Sequence, residues 1–260
     1  MMDIILPVII VSAIGLIAGL GLSIASKYLS EPADEVKEQI RAALPGANCG
    51  ACGFAGCDDY AAAIRSGAAD AGRCTVGGKE TAATLSEILG IEVEAKEKRA
   101  FVTCKGDCHH AQTQYAYSGM QSCYAAKMLY NGPLVCTYGC IGLGDCEKVC
   151  EKNAITISES LARVDRDLCA GCGKCADVCP NSVIKILDAD YKSVVSCNSN
   201  DKGAKVNKAC DVGCIGCMKC VKACPSEAIK IENFLAVIDQ TKCTGCDECI
   251  LICPRGIISK

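Results

Sequence analysis

Cysteine spacing constrains this chain more than any other feature. Twenty-five of the 260 residues are cysteine. The run Cys-x2-Cys-x2-Cys-x3-Cys-Pro occurs three times: Cys169, Cys172, Cys175, Cys179 and Pro180; Cys214, Cys217, Cys220, Cys224 and Pro225; and Cys243, Cys246, Cys249, Cys253 and Pro254. This spacing lets one tight loop present three thiolates to an iron–sulfur cubane, while the fourth cysteine, on the helix that follows, reaches a partner cluster. A zinc ion held by two Cys-x2-Cys pairs leaves the third cysteine and the trailing Cys-Pro without a role. Trp is absent and Phe occurs three times. With few large side chains to bury, small modules depend on metal ligation for stability. A net charge of −3 offers no basic surface to nucleic acid, which is not expected as a partner.

Nine cysteines recur at a constant offset of 74 residues, from Cys123 matching Cys197 to Cys179 matching Cys253. Gly139-Cys140-Ile141-Gly142 matches Gly213-Cys214-Ile215-Gly216, and Ala154-Ile155 matches Ala228-Ile229. The pattern predicts a tandem duplication, with short hairpins at Ala154–Ile157 and Ala162–Val164 in the first copy. Crossed ligation predicts four sets. Cys214, Cys217, Cys220 and Cys253 form one, and Cys224, Cys243, Cys246 and Cys249 another. In the first copy Cys150, Cys169, Cys172 and Cys175 form a third. The fourth is irregular, because Leu143 stands where the second copy has Cys217. Cys136 is the expected replacement, joining Cys140, Cys146 and Cys179; a three-iron cluster with Cys136 free is the alternative.

Upstream, Cys49, Cys52, Cys57 and Cys74 lie in a Gly/Ala-rich module. Four cysteines without histidine suit an all-thiolate cluster, and a zinc ribbon is the competing reading. Before it, Val36, Ile40 and Leu44 share one face of a helix that starts near Ser30-Glu31-Pro32 and breaks at Pro45-Gly46. A second helix spans Thr81 to Leu89 and stops at Gly90, and the charged stretch Glu92 to Arg99 reads as a solvated connector. Cys104, Cys108, Cys123, Cys197 and Cys210 remain as possible additional metal ligands. The only histidines are His109 and His110. No P-loop and no GxGxxG after a strand are present, so no catalytic residue is assigned and hydride chemistry is not expected of this chain alone.

Ile4 to Ala25 is apolar apart from Ser12 and Ser23. As a helix it would reach about 33 Å, enough for a bilayer core of about 30 Å. With Lys27, Lys37 and Arg41 after it and no basic residue before it, the expectation is an uncleaved single-pass anchor with the bulk of the chain on the cytoplasmic side. In that reducing compartment thiolates bind metals rather than pair as disulfides.

The order of these parts resembles a known family. An N-terminal apolar helix, then Leu44-Pro45-Gly46-Ala47-Asn48-Cys49-Gly50-Ala51-Cys52-Gly53-Phe54-Ala55-Gly56-Cys57, then ferredoxin motifs, is similar to the B subunit of Rnf complexes, in its long, multi-ferredoxin form. The resemblance implies Cys49, Cys52, Cys57 and Cys74 as ligands of an N-terminal cluster. It also implies a role: electrons from soluble reduced ferredoxin pass through the clusters to a flavin- and NAD-carrying subunit or to integral membrane subunits, and ion transport follows. A stand-alone membrane polyferredoxin serving a hydrogenase or other reductase is the alternative. The expected fold class is α+β, with five parts: a transmembrane anchor (1–29), a small four-cysteine iron–sulfur domain (30–90), a connector with extra cysteines (91–122), and two bacterial-ferredoxin-like repeats of two clusters each (123–190 and 191–260). At least five 4Fe–4S clusters are expected, in a protein of the cell membrane.

Overall fold

A computed structural model describes residues 12–24 and 34–260. Residues 12–24 are helical, α1. Among the described residues no helix is long and apolar enough to cross a membrane. The expectation of a single N-terminal transmembrane helix is corrected accordingly. The rest of the expected span, residues 4–11 and 25, lies outside the described residues, as does the helix start at Ser30-Glu31-Pro32.

The N-terminal module packs three helices, α2 (Glu35–Ala43), α3 (Cys57–Arg65) and α4 (Gly78–Leu89). Asp34 caps α2 by accepting the Val36 and Lys37 amides, which satisfies two of the donors that a helix start leaves free. Gly90 ends α4 at φ +66°, where a residue without Cβ adopts the left-handed conformation at least cost. Ile40, Leu85 and Tyr60 are almost fully buried at the centre. Val36 and Leu44 pack with Ile40, as their spacing predicts, and Cys52, Cys57 and Cys74 pack against the same core. Phe54 and Tyr60 stack at 5.3 Å, so two of the few aromatic rings are spent here.

The two repeats are built on antiparallel strand pairs. In the first, β1 (Lys98–Val102) is followed by α5 (Cys123–Met128), α6 (Asp145–Lys148), the hairpin of β2 (Ile155–Ser158) and β3 (Leu161–Val164), α7 (Lys174–Asp177) and β4 (Ile184–Asp188). In the second, β5 (Val194–Val195) leads to α8 (Gly203–Ala209), α9 (Lys219–Ala223), the hairpin of β6 (Ile229–Glu232) and β7 (Leu235–Ile238), α10 (Glu248–Ile252) and β8 (Ile258–Ser259). Strands pair β1 with β4, β2 with β3, β5 with β8 and β6 with β7. Hairpins and short helices keep the 74-residue offset: Ile155 pairs with Val164 as Ile229 pairs with Ile238. Each hairpin turns on two residues of positive φ, Glu159-Ser160 and Asn233-Phe234, the backbone that matches strand twist in a two-residue loop.

The stretch expected as a solvated connector is in part structural. Lys98 to Val102 form β1, in register with Asp188 to Ile184. Ala100 and Phe101 are buried there, so the strand closes the first repeat. The core of each repeat is made of small residues and thiols. Ile155, Ala162, Val183 and Ile184 pack with Cys140, Cys146 and Cys175; Ile229, Ala236, Ile257 and Ile258 pack with Cys214, Cys220 and Cys249. With so little aliphatic bulk, each core is arranged round its sulfur-lined cavities.

Candidate iron–sulfur sites

All 25 cysteines are free thiols. Twenty-four of them fall into six groups of four. At site 1, Cys49, Cys52, Cys57 and Cys74 line one cavity under Tyr60. Cys57 opens α3, and its amide donates to Asn48 Oδ1 at 2.8 Å, which folds the Gly-rich loop back on itself. At site 2, Cys150, Cys169, Cys172 and Cys175 line a cavity that Cys49 also borders, so sites 1 and 2 are neighbours. The Ala100 amide donates to Cys169 Sγ and the Ala154 amide to Cys150 Sγ, both at 3.3 Å. Gly171, inside this loop at φ +66°, shows why the loop is so tight: a Cβ there would lie 2.3 Å from the Lys98 carbonyl oxygen.

In the second repeat, Cys214, Cys217, Cys220 and Cys253 line site 5. Cys224, Cys243, Cys246 and Cys249 form site 6, where the three other thiols all bear on Cys249. These groups, like site 2, are the crossed sets of the spacing argument. The crossing has a simple cause. Each short helix carries the third cysteine of its motif in its first turn, and the fourth lies one turn on, facing the other cavity.

One group differs from the sequence expectation. Site 3 joins Cys140, Cys146 and Cys179 to Cys123, not to Cys136. Cys123 opens α5, whose cap Ser122 donates to Asp145 Oδ2 at 2.9 Å and so ties this helix to the loop before Cys146. A cysteine on a separate helix thus stands in for the thiol lost at Leu143. Cys136 lies instead with Cys104, Cys197 and Cys210 around a further cavity, site 4. Four of the five cysteines left over by spacing are therefore placed. Cys108 stands apart, exposed. One signal for site 4 was present in the sequence: Cys136 and Cys210 each precede the first cysteine of a ferredoxin loop by four residues, so the two share one role.

Burial dominates the electrostatics. It pushes the thiols of Cys104, Cys146 and Cys175 up to about 12 and that of Cys220 to about 11, with neighbouring cysteines adding to the effect. Cys74, Cys140, Cys197, Cys210 and Cys249 move the same way for the same reason. Cys224 moves down: burial raises it, but the Ser226 hydroxyl and the amides of Ser226, Ala228 and Ile229 outweigh that. Buried thiols of this kind hold their protons until a metal displaces them. Among the described residues no group of three or more His, Cys, Asp or Glu side chains is placed to hold a single metal ion. The thiols of sites 1 to 5 ring cavities instead, with amides aimed at sulfur, and that donor set fits a thiolate-bound cluster gripped from outside.

Comparisons with known proteins agree. Residues 44–76 match the family described as "Putative Fe-S cluster", and residues 136–183 and 213–257 match the 4Fe–4S dicluster domain. The chain is 43% identical to the B subunit of the Na(+)-translocating ferredoxin:NAD(+) oxidoreductase complex of Acetobacterium woodii, over 92% of this chain and 72% of that one. It is 43% identical to the B subunit of the ion-translocating oxidoreductase complex of Methanosarcina acetivorans, over 90% and 92%. To the B subunit of the proton-translocating ferredoxin:NAD(+) oxidoreductase complex of Clostridium ljungdahlii it is 41% identical, over 93% and 86%. Iron–sulfur domains in three stretches and likeness of this degree over nine-tenths of the chain lead to one conclusion: the chain belongs to the B-subunit family of the Rnf complexes, the ion-translocating ferredoxin:NAD(+) oxidoreductases, and is their electron-relay component.

Proposed function

We propose that the chain takes electrons from soluble reduced ferredoxin and passes them along a row of thiolate-held 4Fe–4S clusters, at least five in number, toward the flavin- and NAD-carrying and integral membrane subunits of its complex. The observation that carries this reading is contiguity. Cys49 borders the cavities of both site 1 and site 2. Cys146 and Cys150, one turn apart, line sites 3 and 2. Cys220 and Cys224 stand in the same relation to sites 5 and 6.

In this reading Cys49, Cys52, Cys57 and Cys74 hold the first cluster. Cys150, Cys169, Cys172 and Cys175 hold the second, Cys123, Cys140, Cys146 and Cys179 the third. Cys214, Cys217, Cys220 and Cys253 hold another, and Cys224, Cys243, Cys246 and Cys249 the last. Bound there, such clusters supply one-electron redox chemistry. The chain's own contribution is to fix the thiolates, exclude water behind Ile155, Ile184, Ile229 and Ile258, and direct backbone amides at sulfur. Cys217 and Cys246 are exposed, which makes the second repeat the natural face for exchange with a soluble donor. So many free thiols suit the reducing cytoplasmic side of the membrane across which the complex moves its ion. In this reading the chain divides into a four-cysteine module up to residue 90, a first ferredoxin-like repeat that β1 (Lys98–Val102) opens, and a second from residue 191.

Anaerobic titration of the purified full chain with reduced ferredoxin tests the proposal. Stepwise bleaching of the iron–sulfur absorbance, with reoxidation by the other subunits of the complex, is expected. A chain that carries its clusters yet stays oxidised under excess reduced ferredoxin would overturn it.

A further inference from the structure

The row of five clusters has a gap between the two repeats, and site 4 lies in it. We infer that Cys104, Cys136, Cys197 and Cys210 hold a sixth 4Fe–4S cluster at the joint between the repeats, so that the relay runs unbroken from one to the other. The inference rests on the cluster reading of the other five sites and extends it.

The site has a two-fold logic that the 74-residue offset conceals. That offset matches Cys123 with Cys197, but the structure matches Cys104 with Cys197. Thr103, just after β1, donates its amide to the Val183 carbonyl at 2.7 Å; Ser196, just after β5, donates to the Ile257 carbonyl at the same distance. Cys104 and Cys197 are the next residues on each side. Cys104 Sγ accepts the Cys140 amide at 3.5 Å, and Cys197 Sγ accepts the Cys214 amide at 3.3 Å. Cys136 and Cys210 complete the two halves, each four residues before those same donors. Every repeat thus contributes one corresponding pair, and neither has four thiols at this place without the other.

The donor chemistry fits the group. The cavity holds four thiols and no histidine or carboxylate. Gly106 lets the backbone come close: a Cβ at that position would sit 3.1 Å from Cys210 Sγ and 3.8 Å from Cys104 Sγ. Amide hydrogen bonds to sulfur favour the charged thiolate over the thiol. Contiguity again gives the role. The amides donated to Cys104 and Cys197 belong to Cys140 of site 3 and Cys214 of site 5, so one hydrogen bond separates site 4 from each neighbour. The competing account treats the four thiols as small buried hydrophobes. That account does not explain why they come as two equivalent pairs or why each pair accepts the corresponding amide, of Cys140 in one repeat and of Cys214 in the other.

The test is iron and acid-labile sulfide analysis with Mössbauer spectroscopy on the full chain, purified without oxygen. Six sites predict about 24 irons per chain, all in 4Fe–4S form. Cys210→Ala and Cys136→Ala, one from each repeat, should each lose about four irons, and the double variant should lose no more than either single one. About 20 irons in the unaltered chain, or full iron in Cys210→Ala, would overturn the sixth cluster while leaving the other five standing. Additive losses in the double variant would also overturn it, because the two cysteines would then serve different centres. Zinc without sulfide in the unaltered chain would overturn the whole cluster reading, this site included. Should a variant lose more than one cluster, the count in the unaltered chain decides between about 24 and about 20.

Discussion

The two ferredoxin repeats share an offset, a hairpin and a pair of short helices, yet they complete equivalent cavities by different means. In the second repeat, site 5 takes all three of its local thiols from one loop, and Cys217 is left exposed. In the first, Leu143 occupies that place, and site 3 draws on Cys123, a buried residue at the start of α5. The segment that carries α5 is the main difference in length between the repeats. From Cys104 to Cys136 the chain runs 32 residues, and from Cys197 to Cys210 it runs 13. The extra length brings in the missing thiol and covers it. A site can therefore keep its four donors while the loop that defines its motif loses one, provided another element reaches the same point.

The strongest way to break this comparison is to exchange the two solutions. Cys123→Ala should cost the first repeat about one cluster, close to four irons per chain. Adding Leu143→Cys should restore it, because Gly142 and Gly216, just before the exchanged position, both have positive φ. Iron and sulfide analysis of the three proteins checks this; a double variant that stays short of iron would show that Leu143 and Cys217 are not equivalent.

Next comes the tightness of the loops. Gly171 and Gly245 occupy the same motif position, at φ +66° and +75°. A Cβ at Gly171 meets the Lys98 carbonyl oxygen, whereas one at Gly245 approaches only the Lys192 side chain, no closer than 3.6 Å. Gly171→Ala should therefore destabilise by about 2–5 kcal/mol, backbone strain and overpacking together. Gly245→Ala should cost only the strain, about 1–2 kcal/mol. The urea concentration at which cluster absorbance is half lost, measured anaerobically, compares them; equal shifts would mean that β1 does not press on site 2.

A smaller effect sharpens the comparison. The helix after each loop starts from a left-handed residue, Gly173 in the first repeat and Asp247 in the second. Asp247 also leaves a buried Oδ1 without a partner, although its other oxygen pairs with Lys260. Asp247→Gly should relieve the strain, lose an exposed ion pair, and stabilise by less than about 1 kcal/mol. A lower urea midpoint would show that the Lys260 contact matters more than the backbone. The smallest effect belongs to Cys108, which lies outside every group: Cys108→Ala should keep its full iron content.

Much of the site was legible from spacing. Crossed ligation follows from residue order alone, since a cysteine one helical turn beyond a Cys-x2-Cys-x2-Cys loop points away from that loop's cavity. The groups at sites 2, 5 and 6 could be written down for that reason, and the hairpins with them. Spacing failed where a partner lay outside the Cys-x2-Cys-x2-Cys-x3-Cys runs. Leu143 shows that a thiol is missing without showing which residue replaces it, and Cys136, four residues from Cys140, was the nearer candidate. Its structural counterpart Cys210, which no local set used, was the better guide. The apolar N-terminal run suggested a spanning helix, and among the described residues no helix is long and apolar enough for one.

Residue order, then, determined the kind of chemistry, the duplication and every group of thiols that one loop and the helix of its paired motif bring together. Only the tertiary structure decided how Cys123 reaches site 3 and how Cys104, Cys136, Cys197 and Cys210 meet between the repeats. The physical reason is the origin of the contacts. Local groups are set by the pitch of a loop and a short helix. The joint depends on β1 pairing with β4, on β5 pairing with β8, and on the packing of two copies against each other, and these contacts carry no period in the sequence.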